Sequence, residues 1–153
     1  MELRTERLVL RPFVAEDFGW LHPIASDPVV TRWTEWGPNE EADTRRFLDE
    51  ALSGGNLCAV VLGGAGIGSA GIAVEGGVPS IASFGYTLAV AYWGKGFATE
   101  IARALVRHAR EELGVDRVEA TCHPENVASA RVLEKAGLSP AGTRDGRLLY
   151  ALR

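Results

Sequence analysis

The sequence predicts an α/β protein of the α+β kind, with one mixed, mostly antiparallel sheet of about seven strands flanked by about four helices. Three observations carry that expectation. Short apolar runs rich in Val, Ile and Leu are separated by Gly-rich joints, as in Gly63-Gly64 and Gly76-Gly77-Val78-Pro79. Two later stretches repeat apolar residues with helical spacing and are closed by Gly114 and by Gly137. Near the C-terminus an Asp145-Gly146 pair stands between two strand-like segments, a strong hairpin signal.

The elements follow in order. Leu8-Val9-Leu10, ahead of Arg11-Pro12-Phe13, reads as a strand that Pro12 disturbs near its end. Glu16 to Ala25 spaces Phe18, Leu21 and Ile24 as a helix does, weakened by Gly19 and Pro23. Asn39 reads as the N-cap of a helix through Leu52 that turns Phe47, Leu48, Ala51 and Leu52 inward and stops at Gly54-Gly55. Between these helices Arg32, Trp33, Glu35 and Trp36 fall on an irregular stretch closed by Gly37-Pro38. Leu57 to Leu62, Ile67 to Val74 and Ile81 to Val90 read as an antiparallel meander. Phe97 to Leu113 is the clearest helix, with Phe97, Ile101, Leu105, Ala109 and Leu113 on one stripe. Val118 to Cys122 is a strand and Asn126 to Ala136 a second good helix; Pro140 to Arg144 and Arg147 to Leu152 then face each other as a hairpin. One βαβ crossover follows the meander and is expected to be right-handed.

At roughly 150 residues per domain, 153 residues make a single domain spanning 1–153. With 46% hydrophobic and 24% charged residues the chain can bury a sizeable core. Sixteen Lys and Arg against twenty Asp and Glu give a net charge of -4, which argues against nucleic acid as a partner. Cys58 and Cys122 lie far apart without spaced His partners, so no metal site and no disulfide framework is expected, and a reducing compartment fits best. The charged N-terminus, and the lack of any run near the roughly 18 apolar residues of a membrane span, predict a soluble cytoplasmic protein without a membrane partner.

Two glycine motifs compete for phosphate chemistry. Gly66-Ile67-Gly68-Ser69-Ala70-Gly71 matches G-x-G-x-x-G, but a dinucleotide fold needs a helix to open inside those glycines, and Ile72-Ala73-Val74-Glu75-Gly76-Gly77 is too short and Gly-rich for one. Trp93-Gly94-Lys95-Gly96-Phe97-Ala98-Thr99 has the required context of strand, tight turn and long helix. The first amides of a helix lack intrahelical acceptors and its dipole is positive there, so an anion such as a pyrophosphate is held by backbone N–H groups. Gly94 and Gly96 admit close backbone approach, Lys95 adds a cation and Thr99 a hydroxyl.

Trp93-x-x-Gly96-x-Ala98 resembles the acyl-coenzyme A pyrophosphate loop of the GNAT acetyltransferases, with Trp93 where the family usually has Gln or Arg. More narrowly, five blocks in the same order are similar to the RimJ/RimL branch: Leu8-x-Leu10-Arg11-Pro12-Phe13, Ser26-Asp27-Pro28-x-Val30, Gly85-Tyr86, Trp93 to Glu100, and Asn126-x-x-Ser129-x-Arg131-Val132-Leu133-Glu134-Lys135-x-Gly137. The resemblance implies the GNAT acyl-CoA N-acyltransferase fold, splayed at the fourth and fifth strands counted above. It also implies acetyl-CoA as co-substrate and direct acetyl transfer to an amine in a ternary complex. By the same resemblance, backbone groups of Leu88 and Val90 pair with the pantetheine arm, and Trp93, Gly94, Lys95, Gly96, Phe97, Ala98 and Thr99 hold the pyrophosphate. A backbone N–H of the splayed strand is the natural oxyanion donor. Asn126 is implied as a pantetheine ligand or a simple N-cap, roles that can coexist. Ser129 is implied as a coenzyme contact near the sulfur and the acid protonating the leaving thiolate, or is a helix serine that is solvated or bonded to a backbone carbonyl; Arg131 is implied as a phosphate contact or a solvated residue.

Two positions depart from the family. Leu133 stands where many members have the acidic tyrosine, which strengthens Ser129; Ser83 stands where many have a carboxylate base, so none is carried over. Glu75, Glu35 and His22 are further proton acceptors to weigh, His123 a proton relay, and His108 a packing residue. Trp33, Trp36, Ser83 and Tyr86 would line the acceptor pocket, with a core or helix-staple role equally open to Trp33 and Trp36. The first reading is therefore an N-acetyltransferase acting on a protein N-terminus or a small-molecule amine. The alternative is a non-catalytic acyl-CoA sensor or interaction module. A strand edge at Leu148-Leu149-Tyr150 leaves both monomer and homodimer open.

Overall fold

The chain runs β1 (Leu3–Arg4), β2 (Val9–Pro12), a 3-10 turn (Ala15–Asp17), α1 (Phe18–Ala25), α2 (Glu41–Leu52), β3 (Leu57–Leu62), β4 (Ala65–Glu75) and β5 (Ile81–Leu88). A second 3-10 turn (Val90–Tyr92), α3 (Phe97–Glu111), β6 (Arg117–Cys122), α4 (Val127–Lys135), β7 (Ser139–Arg144) and β8 (Arg147–Leu152) follow. These elements come from a computed structural model that describes all 153 residues. The eight strands form one sheet in the order β1-β2-β3-β4-β5-β6-β8-β7. The β5–β6 pairing is parallel, as the crossover requires, and β1–β2, β2–β3, β3–β4, β6–β8 and β7–β8 are antiparallel. Contacts group the chain into two units, Met1–Gly71 with Tyr86–Lys95, and Ile72–Gly85 with Gly96–Arg153.

The first unit is built around Phe13, Leu21, Leu48 and Ala59, against which Phe18, Trp20, Phe47, Ala51, Leu57 and Val61 pack. Phe13 stacks on Trp20 at 6.2 Å and meets Phe47 edge-on at 5.7 Å, the offset and T-shaped arrangements that aromatic quadrupoles favour. In α1, Pro23 forgoes the bond that would reach Gly19, and burial of Leu21, Ile24 and Ala25 outweighs that loss. The second helix starts one residue later than Asn39 suggested: Glu40 is its N-cap, with its amide bonded to Asp43 at 2.9 Å. Asn39 instead donates its side-chain amide to the buried Thr44 hydroxyl and its backbone N–H to Ala25. Leu52, expected inward, is 44% exposed because it lies at the helix's last turn.

The glycines of β4 answer to packing. A Cβ on Gly66 would run into the Trp20 indole, and one on Gly68 into the backbone carbonyl of Thr87. No helix follows them, so the G-x-G-x-x-G match is structural. Because a carbonyl in a paired strand cannot swing aside, Gly68→Ala should cost about 3 kcal/mol and lower Tm by roughly 6–12 °C. Thermal unfolding followed by circular dichroism checks this; an unchanged Tm would mean that the strand yields freely.

In the second unit α3 buries Phe97, Ile101, Ala102, Ala104, Leu105, Val106 and Ala109. Gly114, with φ of 63°, ends the turn where Leu113 and Val115 donate back to His108 and Ala109. Arg103 Nε donates to the Lys135 carbonyl at 3.2 Å, fastening α3 to the end of α4, and Tyr150 donates to Glu134 at 3.4 Å, fastening β8 to α4. Asp145 and Gly146 both take positive φ, 52° and 78°, as a tight hairpin turn needs. The strand edge expected at Leu148-Leu149-Tyr150 is covered on both sides, by β6 and β7. The edge is β7 instead, broken against further pairing by Pro140 and by a register shift before Thr143.

Candidate active site

The parallel pairing of β5 and β6 lasts only from Ile81 to Ser83 opposite Arg117 to Glu119, although both strands run on. This is the splay that the family resemblance implies. Glu119, the last paired residue, is a carboxylate only 3% exposed. It accepts from Arg117 Nε at 2.7 Å and from Arg144 Nη1 at 2.8 Å. Burial alone would raise its pKa, but the bonds and charges of Arg144 and Arg117 outweigh that and hold it below the ordinary carboxylate value. A carboxylate so engaged is a poor proton acceptor and a good anchor for two guanidiniums. Its only signal in the sequence is Arg117-x-Glu119, a charged pair on one face of an otherwise apolar strand.

At the end of β5, in the first unit, Ala89 donates its N–H to Ile67 on β4 at 2.9 Å, so strand alternation turns the groups of Leu88 the other way. There the Leu88 carbonyl accepts the Trp93 indole N–H at 2.8 Å. Val90, expected in the strand, lies in a 3-10 turn, where its carbonyl accepts the Trp93 amide at 3.0 Å. Each carbonyl thus accepts one bond from Trp93 within the loop itself and keeps its second lone pair. Trp93 is 44% exposed and the Lys95 ammonium sits 5.9 Å from the Tyr92 ring.

Gly94 and Gly96 take φ of 70° and 83°, the left-handed region, and a Cβ on Gly94 would meet nothing within 4 Å. Gly96 is the N-cap of α3 and has no side chain to cap it; the helix's first bond runs from Glu100 to the Gly96 carbonyl. The cap therefore supplies no side-chain acceptor to the first turn of α3, and a helix start of that kind suits an anion. The Phe97 ring itself is buried.

At the start of α4 Asn126 is the N-cap, its Oδ1 accepting the Ser129 N–H at 3.2 Å. The structure thus brings Asn126 and Ser129 together and orients them by one bond. Arg131 is exposed and Leu133 is buried in the core. Half-buried His123 accepts the Glu125 amide on Nδ1 at 3.0 Å, which places the proton of its neutral ring on Nε2. His22 is structural, bonded to Thr44 at 2.7 Å and stacked on Phe18. His108 lies in α3 with Nδ1 buried and unbonded. Arg32 stacks on Trp33 at 4.4 Å, Trp36 is 42% exposed, Tyr86 is half-buried and Ser83 is exposed on β5. Glu35 and Glu75 are solvent-facing. No group of His, Cys, Asp and Glu residues is arranged to hold a metal ion, and no helix is long and apolar enough to cross a membrane.

A strand leaving its partner, a helix start with no side-chain cap behind a left-handed glycine loop, and a helix capped by Asn126 belong to a mixed α/β fold whose class the comparisons define as acyl transferase. Residues 7–139 match the acetyltransferase (GNAT) domain model, and the chain belongs to the GNAT acetyltransferase family. It is an acetyl-CoA-dependent N-acetyltransferase. The uncharacterized N-acetyltransferase p20 of Bacillus licheniformis is 31% identical over 148 residues, covering 92% of this chain and 83% of that protein. A GNAT-family acetyltransferase structure from Bacillus anthracis superposes with a TM-score of 0.89 at 28% identity, over 99% of this chain and 98% of that one. RimL, a ribosomal L7/L12 alpha-N-protein acetyltransferase solved with coenzyme A, superposes at a TM-score of 0.85 with 18% identity, over 99% and 97% of the two chains, a likeness of fold.

Proposed function

We propose that residues 1–153 act as one catalytic domain that moves an acetyl group directly from acetyl-CoA to a primary amine, on a protein N-terminus or a small molecule. The observation that carries this reading is the uncapped start of α3 behind Gly94 and Gly96. Bound acetyl-CoA supplies a thioester carbonyl open to attack by an amine. The loop from Gly94 to Thr99 holds the pyrophosphate through backbone N–H groups, with Lys95 adding charge. Asn126 keeps Oδ1 on the Ser129 amide and turns its NH2 donors to the pantetheine arm, so capping and binding use different atoms. Ser129 holds a proton on Oγ for the departing sulfur, one turn inside the same helix. Trp33, Trp36, Ser83 and Tyr86 are assigned to the acceptor side.

The experiment is thermal unfolding with acetyl-CoA and with NAD, followed by thiol release in the presence of N-terminal peptides and of small amines. Acetyl-CoA alone should raise Tm by mass action. Ser129→Ala should keep that shift and slow thiol release by about 100-fold, the lower end for loss of a positioned acid. Stabilisation without thiol release from any amine would favour an acyl-CoA sensor; stabilisation by neither ligand would overturn the site assignment.

A further inference from the structure

The loop that opens α3 is fastened from outside by a residue 88 positions away in sequence. Arg7 Nη1 donates to the Lys95 carbonyl at 3.1 Å. Arg7 springs from the β1–β2 turn, which is itself fixed: Thr5 donates its N–H to the Leu8 carbonyl at 2.9 Å and accepts the Leu8 N–H on its hydroxyl at 3.0 Å, and Leu8 is buried. The two-residue strand β1 closes this turn by pairing Leu3 and Arg4 with Leu10 and Val9. The exposed guanidinium is thus presented from a rigid base.

Lys95 has the opposite need. It is exposed and stands between two glycines of positive φ, residues with wide backbone freedom. In a trans peptide the carbonyl of one residue and the N–H of the next point in opposite directions. Holding the Lys95 carbonyl against Arg7 therefore aims the Gly96 N–H to the opposite side and removes freedom that a ligand would otherwise have to freeze. We propose that Arg7 is a positioning residue for the coenzyme: it presets the Lys95–Gly96 peptide in the form that receives the pyrophosphate. This inference rests on the assignment of the loop to the coenzyme. Arg7 acts through a backbone carbonyl, not by lending its charge to the ligand.

Isothermal titration of coenzyme A into wild type and Arg7→Gln, at low and at high NaCl, tests it, together with the Tm of each ligand-free protein. Loss of one charge-assisted hydrogen bond that organises the loop should weaken coenzyme A binding about tenfold. Because Arg7 is exposed, the ligand-free Tm should move by less than about 2 °C. Most of the tenfold loss should persist at high salt, where the long-range attraction between the guanidinium and the ligand is screened but the bond to the Lys95 carbonyl is not. Equal affinity of variant and wild type overturns the proposal. So does a loss that vanishes at high salt, which would make Arg7 a direct phosphate contact, or one accompanied by a matching fall in ligand-free Tm, which would make it structural. Failure of the wild type to bind coenzyme A would instead overturn the loop assignment, and this inference with it.

Discussion

Gly96→Val should abolish measurable acetyl-CoA binding while leaving the protein folded. Gly96 takes φ of 83° as the N-cap of α3, a conformation that costs a β-branched residue about 1–3 kcal/mol. Valine can relieve the strain by rotating the peptides on either side, but that rotation re-aims the N–H groups at the helix start. It also puts a branched side chain where, on the proposed assignment, backbone approaches the anion. We expect the dissociation constant to rise at least about 100-fold, equivalent to about 2.7 kcal/mol. The interior of α3, with Ile101, Ala102 and Leu105 buried, is untouched, so far-UV circular dichroism should be retained. Gly114→Val is the matched control. It carries similar left-handed strain at the other end of α3, with φ of 63° and open space around it, and should lose stability yet keep the acetyl-CoA shift. A Gly96→Val protein that is still stabilised by acetyl-CoA would show that the anion is held elsewhere.

That experiment tests the feature the sequence displayed best. A Gly-x-Gly turn leading into a long amphipathic helix is local information, since φ preference, helix start and apolar stripe lie within about twenty residues. The same holds for Asn126 capping α4 and for the Asp145-Gly146 turn. What sequence reading missed was set by partners distant in the chain. Two-residue β1 has no periodicity to detect, and it exists because Leu3 and Arg4 pair with Leu10 and Val9. Val90 has strand-like composition but turns out of β5 because Trp93 folds back onto Leu88, a bond that no propensity encodes. Leu148 to Tyr150 look like an edge from their terminal position, yet β8 inserts between β6 and β7. Glu119 is one more carboxylate in the sequence. Its pairing with Arg117 is local, but burial and the arrival of Arg144 from β7 complete a buried ion-pair centre that the sequence does not display. The general base therefore could not be read from residue type, because the pKa of each acid depends on neighbours that the fold supplies.

Asp17 shows the same dependence with the largest consequence for stability. It is 3% exposed at the end of the first 3-10 turn, and its two oxygens accept four hydrogen bonds. Arg11 donates from Nη1 and Nη2 at 2.8 Å each, the Val14 amide at 2.8 Å and the Trp20 indole at 2.9 Å. These donors come from β2, the turn and α1, so the carboxylate fixes where α1 leaves the sheet and seats Trp20 against Phe13. Asp17→Ala strands a half-buried guanidinium, an amide and an indole N–H. With Arg11 partly able to rehydrate, the cost should be about 3 kcal/mol, the low end for breaking a buried pair, and Tm should fall by roughly 6–12 °C. The pH dependence separates charge from packing. Burial acts to raise the Asp17 pKa, but Arg11, the Val14 amide and Trp20 together lower it further, so the folded value lies below the ordinary 3.8. A group depressed in the folded state contributes its stability above the ordinary pKa and loses it as pH falls through the folded value. The Tm gap between wild type and the near-isosteric Asp17→Asn should therefore be constant from about pH 8 to pH 5 and narrow below about pH 4. A gap of the same size at pH 3 would assign the effect to shape, and no gap at neutral pH would mean that the four bonds add nothing beyond those of an amide.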